Sequence, residues 1–130
     1  MMLDRYVGIP FLDRGRTFAG VDCWGLVRLV YRGELGVELP AYESLYRTVD
    51  ERTGVELLEL VERKRGAWQQ VEAPETFDLV LLRIAGVPCH VGVALPGGRM
   101  IHCARGADSR IESYRGPKWA PRVEGFYRHV

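Results

Sequence analysis

The first long pattern of apolar positions in this chain has helical spacing. Five apolar residues after Asp22 form one wide stripe. Its members are Leu26, Val27, Leu29, Val30 and Tyr31. The spacing predicts an amphipathic helix that ends near Gly33. Asp22 is of a residue type that caps helix amino termini, so the predicted helix begins at Cys23. A second stripe predicts another helix over residues 55–65.

After residue 74 the pattern changes to the short apolar runs that are typical of β-strands. Turn segments that contain glycine and proline separate the first three runs, which is a signal for β-hairpins. The predicted strands are residues 79–84, 89–95 and 99–104, with two more near Ile111 and over 123–130. Helices followed by hairpin-linked strands indicate an α+β domain in which amino-terminal helices pack on an antiparallel sheet of about five strands.

The composition is that of an ordinary globular domain. Of 130 residues, 47% are apolar and 27% are charged, and the formal net charge is +1. This length suits one domain over residues 1–130, and the near-neutral charge argues against nucleic acid as a partner. Apolar runs stay below the roughly 18 residues needed to cross a bilayer, so membrane insertion is not expected.

The amino terminus and the cysteines bear on the cellular compartment. The first residues, MMLDRYVGIPF, lack the apolar core of a secretory signal. The chain is therefore expected to be made in the cytoplasm without a signal peptide. Disulfides are rare in that reducing compartment, so Cys23, Cys89 and Cys103 need another explanation. They are buried apolar residues, metal ligands or, in one case, a nucleophile.

Two histidines are placed symmetrically about a predicted hairpin turn. His90 and His102 are twelve residues apart, with Pro96 midway between them. A register that pairs Ala94 with Gly98 also pairs His90 with His102. Their side chains would then share one face of the sheet, with Cβ atoms roughly 4.5–5.5 Å apart. A slip of one residue would change this placement, so the inference depends on the register.

Cys23 would complete a catalytic group with these two histidines. At the amino terminus of a helix, unpaired backbone N–H groups and the helix dipole favour a thiolate. A catalytic cysteine also needs a histidine to exchange protons with it. The arrangement suits Cys23 as nucleophile, His90 as base and acid, and His102 as the residue that holds the imidazole tautomer. Taken singly, each of the three residues is also compatible with a structural role.

Four short motifs carry a resemblance to a known family. They are DCWGLV at 22–27, DLV at 78–80, HVGV at 90–93 and MIH at 100–102. In this order they match the family pattern D-C-x-G-L/F-V, G-D-L-V, H-V-G-I and M-I-H. Over nearly its whole length the chain therefore resembles the NlpC-type papain-like cysteine peptidases, which are murein endopeptidases.

The resemblance implies a fold, an activity and a place of action. It implies a papain-like core with Cys23 as nucleophile, His90 as base and His102 as the orienting residue, and no cofactor. The implied substrate is the peptidoglycan stem peptide, cut between D-glutamate and a diamino acid. Trp24 and the GLVR string after it are more similar to the phage tail-assembly and tail-tip branch. That branch implies other tail proteins as partners and a virion tail that carries the chain from the bacterial cytoplasm to the cell wall.

The chain departs from the family pattern at two positions. The family often has a tyrosine that helps to bind the oxyanion in a G-x-x-Y segment, and here residues 8–11 read GIPF. Phe11 has no hydroxyl group, and one lost oxyanion donor costs on the order of 10²–10³ in rate. Tyr6 is a nearby candidate substitute. Phe77 replaces the glycine that usually precedes Asp78, which is interpreted as a minor variation of a turn.

Other functions remain open. Cys89, His90, His102 and Cys103 could form a zinc-binding module. However, neighbouring residues on a strand point to opposite faces, which disfavours a shared metal. A second alternative, for which Phe11 argues, is a structural tail protein with the same fold but no activity. A third is an acyltransferase or amidase that uses the same triad.

Overall fold

The helix predicted after Asp22 is present in a computed structural model, which describes residues 3–40 and 68–130. Helix α1 spans Cys23–Val30 and continues into a π-helical turn, Tyr31–Leu35. Gly36 ends this turn with a φ of 66°, in the left-handed region that glycine adopts without steric cost. The second predicted helix, over 55–65, lies outside the described residues.

Two antiparallel sheets accompany the helix within the described residues. A small sheet lies before α1 and pairs β1, Arg16–Thr17, with β2, Gly20–Val21. The main sheet has six strands in the order β3-β8-β4-β5-β6-β7. They are β3, Trp68–Val71; β4, Leu79–Ile84; β5, Val87–Leu95; β6, Arg99–His102; β7, Arg110–Ser113; and β8, Val123–His129. The predicted α+β class is confirmed.

Strand β3 is the member of the main sheet that the sequence pattern did not predict. It reads WQQV, and Trp68 is its one buried residue while Gln69 and Gln70 are exposed. Such a sequence has little of the apolar alternation that predicts a strand. It becomes a strand at the edge of the sheet by pairing with the well-predicted β8.

Side-chain alternation along the strands gives the main sheet two different apolar faces. Helix α1 contacts β5 and β6. The residues buried with it include Val27, Val30, Val91, Val93 and Ile101. The other face carries a second buried cluster, made of Val80, Leu82, Ala94, Met100, Tyr114 and Trp119. In the part of the chain that the structure describes, no helix is long and apolar enough to cross a membrane.

The register of the β5–β6 hairpin differs from the predicted one. Ala94 pairs with Met100 and not with Gly98, a shift of two residues. His102 therefore lies diagonally from His90 instead of directly opposite. Because side chains alternate with a period of two, a shift of two residues keeps both histidines on one face.

The turn explains this shift. Leu95 pairs with Arg99 and closes a three-residue loop. Within the loop, Gly97 and Gly98 have φ values of 81° and 72°. Glycine accepts this left-handed conformation without steric cost, so both glycines belong to the turn. The predicted register had used Gly98 as a strand residue.

The start of β4 is held by a buried carboxylate. Asp78 is 3% exposed, and its two oxygens accept hydrogen bonds from Arg128 on β8 at 3.0 and 2.8 Å. Phe77, just before it, has a φ of 74°. The substitution of phenylalanine for glycine is therefore more than a minor variation, because this position adopts a backbone conformation that costs most other residues about 1–2 kcal/mol.

We expect Phe77→Gly to be more stable than Phe77→Ala by about 1 kcal/mol, because both variants remove the ring and only alanine resists the left-handed conformation. Chemical unfolding of the two variants measures the difference. The same pair of substitutions at the exposed Glu72, which does not have a positive φ, is the control and should not favour glycine. Equal stability of the two Phe77 variants would contradict the argument.

Candidate active site

A buried carboxylate defines where helix α1 begins. Asp22 is completely buried, and its Oδ1 accepts hydrogen bonds from the Gly25 backbone N–H and from Arg16, both at 2.8 Å. This is the N-cap predicted from the sequence, strengthened by an ion pair. A side chain at position 25 would place its Cβ 2.0 Å from the Gly15 oxygen. Glycine is therefore required two residues after Cys23.

Cys23 occupies the first position of α1, as predicted. Its side chain is buried, with an exposed fraction of 1%. The backbone N–H groups of the first helical turn and the helix dipole favour negative charge at this end. The Cys23 Sγ atom lies 4.0 Å from the backbone oxygen of Cys89. Cys89 immediately precedes His90 on β5, so the thiol lies against that strand next to the histidine position.

The two histidines are in direct contact. His90 and His102 are 3% and 2% exposed. The Nε2 atom of His90 and the Nδ1 atom of His102 are 2.7 Å apart, which is a hydrogen bond. This confirms the prediction that they occupy neighbouring antiparallel strands with their side chains on one face. Gly92 makes room for the pair, because a Cβ there would lie 3.2 Å from the His102 Cβ.

The hydrogen-bonded chain continues beyond the predicted residues. The Nε2 atom of His102 lies 2.9 Å from a carboxylate oxygen of Glu112 on β7. The Trp119 indole N–H donates to the same oxygen at 2.5 Å. The indole also stacks on His90, with ring centroids 5.6 Å apart and an interplanar angle of 22°. Both ring nitrogens of His102 are thus paired.

Sequence analysis does not identify Glu112 or Trp119 as site residues. Glu112 is next to Ile111 in a predicted strand, and His102 pairs with Arg110 two positions before it. Assigning Glu112 to His102 therefore needs the register of β6 and β7, which no local pattern specifies. Trp119 comes from an irregular segment before β8, where sequence periodicity carries no information.

The electrostatics of this group follow from its burial. Burial lowers the pKa of His90, and the neighbouring His102 lowers it further. Burial also lowers the pKa of His102, although the hydrogen bond to Glu112 opposes this effect. For Glu112, burial opposes ionisation, but hydrogen bonds from Trp119 and His102 outweigh it and lower the pKa of the carboxyl. Near pH 7 the group is therefore two neutral imidazoles beside a carboxylate.

Comparison with known proteins assigns the family. The NlpC/P60 family profile matches residues 8–128, which is nearly the whole chain. The chain belongs to the NlpC/P60 family. The solved NlpC/P60 structures have the same fold as this domain. The NlpC/P60 domain of the peptidoglycan hydrolase SagA superposes with a TM-score of 0.64 at 22% identity, covering 95% of this chain and 90% of that one.

A second solved structure extends the comparison. An NlpC/P60 family protein from Bacillus cereus ATCC 10987 has a TM-score of 0.67 at 21% identity, over 96% of this chain and 37% of that one. The predicted papain-like fold is thus confirmed.

Three curated relatives are similar in sequence. Murein DD-endopeptidase MepS/Murein LD-carboxypeptidase of Escherichia coli K12 is 27% identical over 124 residues, covering 93% of this chain and 57% of the relative.

The other two curated relatives are named as a phage tail protein and a glutamyl hydrolase. Tail tip assembly protein K of Escherichia phage N15 is 27% identical over 122 residues, covering 93% of this chain and 50% of the relative. Gamma-DL-glutamyl hydrolase of Bacillus subtilis is 25% identical over 126 residues, covering 96% and 27%. This NlpC/P60 domain therefore spans only about half of the length of the first two curated relatives. It spans 27% of the length of the third.

Phe11 lies beside the strand that leads to Cys23. It forms an isolated bridge with Val21, two residues before Cys23. Its ring packs partly buried against the core, and the Arg105 guanidinium lies 5.2 Å from the ring centroid. This NlpC/P60 domain therefore has an aromatic ring in the G-x-x-Y segment, but without the hydroxyl group.

Tyr6 does not replace that hydroxyl at Cys23. Its oxygen donates to Glu34 at 2.8 Å and accepts from Arg5 at 2.6 Å. Glu34 lies in the turn after α1, eleven residues beyond Cys23. That separation corresponds to roughly 16 Å along a helix axis. The candidate Tyr6 is therefore not the substitute, because its hydroxyl lies at the opposite end of the helix.

The remaining cysteines are buried. Burial raises the pKa of the Cys103 thiol to about 11, and its sulfur lies 3.7 Å from the Val21 backbone oxygen. Cys103 is part of the core beneath α1, whereas the His102 ring contacts Trp119 on the other face. Within residues 3–40 and 68–130, no three His, Cys, Asp or Glu side chains are grouped to hold a metal ion. The zinc alternative therefore finds no support in the described residues.

We expect Asp22→Ala to destabilise the domain by about 3 kcal/mol or more, because it removes the helix cap and leaves the charge of the largely buried Arg16 without this carboxylate. Asp22→Asn keeps a capping oxygen and should lose less. Denaturant unfolding measures both changes. The exposed neighbour Asp13, changed to alanine, should stay within about 0.5 kcal/mol of the parent. An equally small loss in Asp22→Ala would contradict the role given to Asp22.

Proposed function

We propose that this NlpC/P60 domain is a cysteine peptidase that hydrolyses peptide bonds in peptidoglycan stems. Cys23 is the nucleophile, His90 is the base and acid, and His102 orients His90. The observation that carries the proposal is the buried hydrogen bond between His90 and His102, next to the strand residue whose backbone oxygen contacts the Cys23 sulfur. Family membership supports the same assignment.

The chemistry needs one proton acceptor that also returns the proton. The Nε2 atom of His90 is hydrogen-bonded to His102. The other ring nitrogen of His90, Nδ1, therefore takes the thiol proton of Cys23. The thiolate attacks the peptide carbonyl carbon, and the C–N bond breaks as His90 returns the proton to the leaving amine. Water, deprotonated by His90, then attacks the thioester, releases the acid and regenerates the thiol. The Cys23 backbone N–H is the proposed donor to the oxyanion.

The substrate is proposed on chemical similarity. Two relatives are named for hydrolysis of murein peptides and of γ-DL-glutamyl bonds. The first name supports murein as the substrate. The second name, together with the motif resemblance, supports a stem-peptide bond between D-glutamate and a diamino acid. The acyl chemistry of the triad alone is equally compatible with other acyl acceptors, so the identity of the bond is tested by the products.

A phage or prophage tail is the proposed place of action. The similarity to tail tip assembly protein K and the string that follows Trp24 support it. In this setting the other tail proteins are partners, and the tail carries the domain to the cell wall. A tail protein of the same fold without activity is the second candidate, and the missing hydroxyl at Phe11 favours it.

Digestion of purified peptidoglycan, with mass analysis of released fragments, tests the function. We expect Cys23→Ala and His90→Ala each to remove nearly all hydrolysis, because members of one catalytic unit fail together. His102→Asn, which keeps a hydrogen-bonding group, should retain more activity than His102→Ala. Cys89→Ala is the control thiol variant and should stay active, and thermal melts must show that each variant folds.

Two outcomes would contradict the assignment. No fragments from the parent protein would favour the inactive tail protein. Hydrolysis at the parent rate by His90→Ala, with inactive His102 variants, would transfer the role of the base to His102.

Phe11→Tyr should raise the rate of hydrolysis by about tenfold to a hundredfold if the added hydroxyl reaches the oxyanion, since one such donor is worth on the order of 10²–10³. Initial rates on the same peptidoglycan measure the effect. Phe11→Leu changes the packing without adding a hydroxyl and is the matched control. An unchanged rate in Phe11→Tyr, with an unchanged melting temperature, would mean that this position does not serve the oxyanion.

A further inference from the structure

The chain of hydrogen bonds at the histidine pair ends on a carboxylate that none of the family motifs contains. Glu112 Oε2 lies 2.9 Å from His102 Nε2, and His102 Nδ1 lies 2.7 Å from His90 Nε2. Three consecutive strands, β5, β6 and β7, each supply one of these residues. Each link is short enough to be a hydrogen bond.

The carboxylate determines the direction of every hydrogen bond in this chain. An ionised carboxylate can only accept, so His102 Nε2 must carry the proton that is shared with Glu112. A neutral imidazole has one ring proton, and therefore His102 Nδ1 can only accept. His90 Nε2 must then be the donor, which leaves His90 Nδ1 without a proton.

We propose that Glu112 is a positioning residue, which acts through His102 to keep the Nδ1 atom of His90 free to take a proton. The inference rests on the proposed role of His90 as the base. In the opposite tautomer, His102 would donate from Nδ1, and His90 would carry its proton on Nδ1, where it could not act as a base. The negative charge of Glu112 also stabilises the imidazolium that forms when His90 takes the thiol proton.

Trp119 holds the carboxylate in this role. Its indole N–H donates to the same Oε2 atom, so the oxygen receives two donors and has a defined position. The indole is 3% exposed and packs against both imidazoles, with centroids 5.6 Å from His90 and 5.0 Å from His102. It thereby covers the rings against water, which would compete for the same hydrogen bonds.

The tautomers can be measured without any activity. Nitrogen NMR shifts of the histidine rings, recorded near pH 7 on the full chain carrying Cys23→Ala, report which nitrogen of each ring bears the proton. We expect Nε2–H on both His90 and His102. In the same background, Glu112→Ala should shift both rings toward Nδ1–H, whereas Glu112→Gln, whose amide oxygen still accepts, should retain much of the parent pattern.

Kinetics on the protein with Cys23 intact provide the second measurement. Glu112→Ala should lower kcat by about tenfold to a hundredfold with little change in KM, which is the loss typical of removing an outer partner that orients a histidine. Glu112→Gln should lie between this variant and the parent. Glu124→Ala is the matched control, because Glu124 also pairs with a basic side chain on the sheet, Arg83, and should leave kcat unchanged.

The two measurements separate this inference from the proposed function. A proton on His90 Nδ1 in the parent spectrum, or tautomers and kcat unchanged in a folded Glu112→Ala, would overturn it even if hydrolysis depends on Cys23. The expected tautomer shift in a protein that hydrolyses nothing would uphold the positioning by Glu112 and count against the peptidase. If Glu112→Ala does not fold, the parent spectrum and Glu112→Gln decide the matter.

Discussion

Two imidazoles can be buried on an apolar sheet face only if their polar ring nitrogens find partners, and this requirement organises the candidate site. His90 is paired with His102, His102 with Glu112, and the carboxylate with the Trp119 indole. The strands and the loop that supply these groups must all reach their final positions before the network is complete. The same arrangement that satisfies burial also selects one tautomer for each ring.

A second buried polar group determines where Cys23 lies. The Asp22 carboxylate connects the loop and small sheet before α1 to the first helical turn, through Arg16 and the Gly25 N–H. Leaving any of these groups unpaired inside the domain would be costly. Cys23 is therefore held at the start of the helix by a network that is separate from the one around His90.

The two departures from the family motifs have different physical consequences. Phe77 affects the backbone, because its positive φ lies just before Asp78, which links β4 to Arg128 on β8. The domain tolerates this conformation because the surrounding contacts hold the turn in place. Phe11 does not have a positive φ and lies next to Val21, but it lacks the hydroxyl group of the family tyrosine. The first departure therefore concerns stability and the second concerns chemistry.

Sequence by itself determined the features that depend on local pattern. The cap at Asp22 and the apolar stripe after it placed Cys23 at the first helical position, because capping and helical periodicity involve only neighbouring residues. His90 and His102 are an even number of residues apart. Both therefore lie on one face of the sheet even though the hairpin register is shifted by two residues from the predicted one. Tertiary structure alone decided the register, the edge strand β3 and the partnership of Glu112 with His102. These features depend on turn geometry and on which distant segment satisfies a buried polar group, and neither is encoded in a local period.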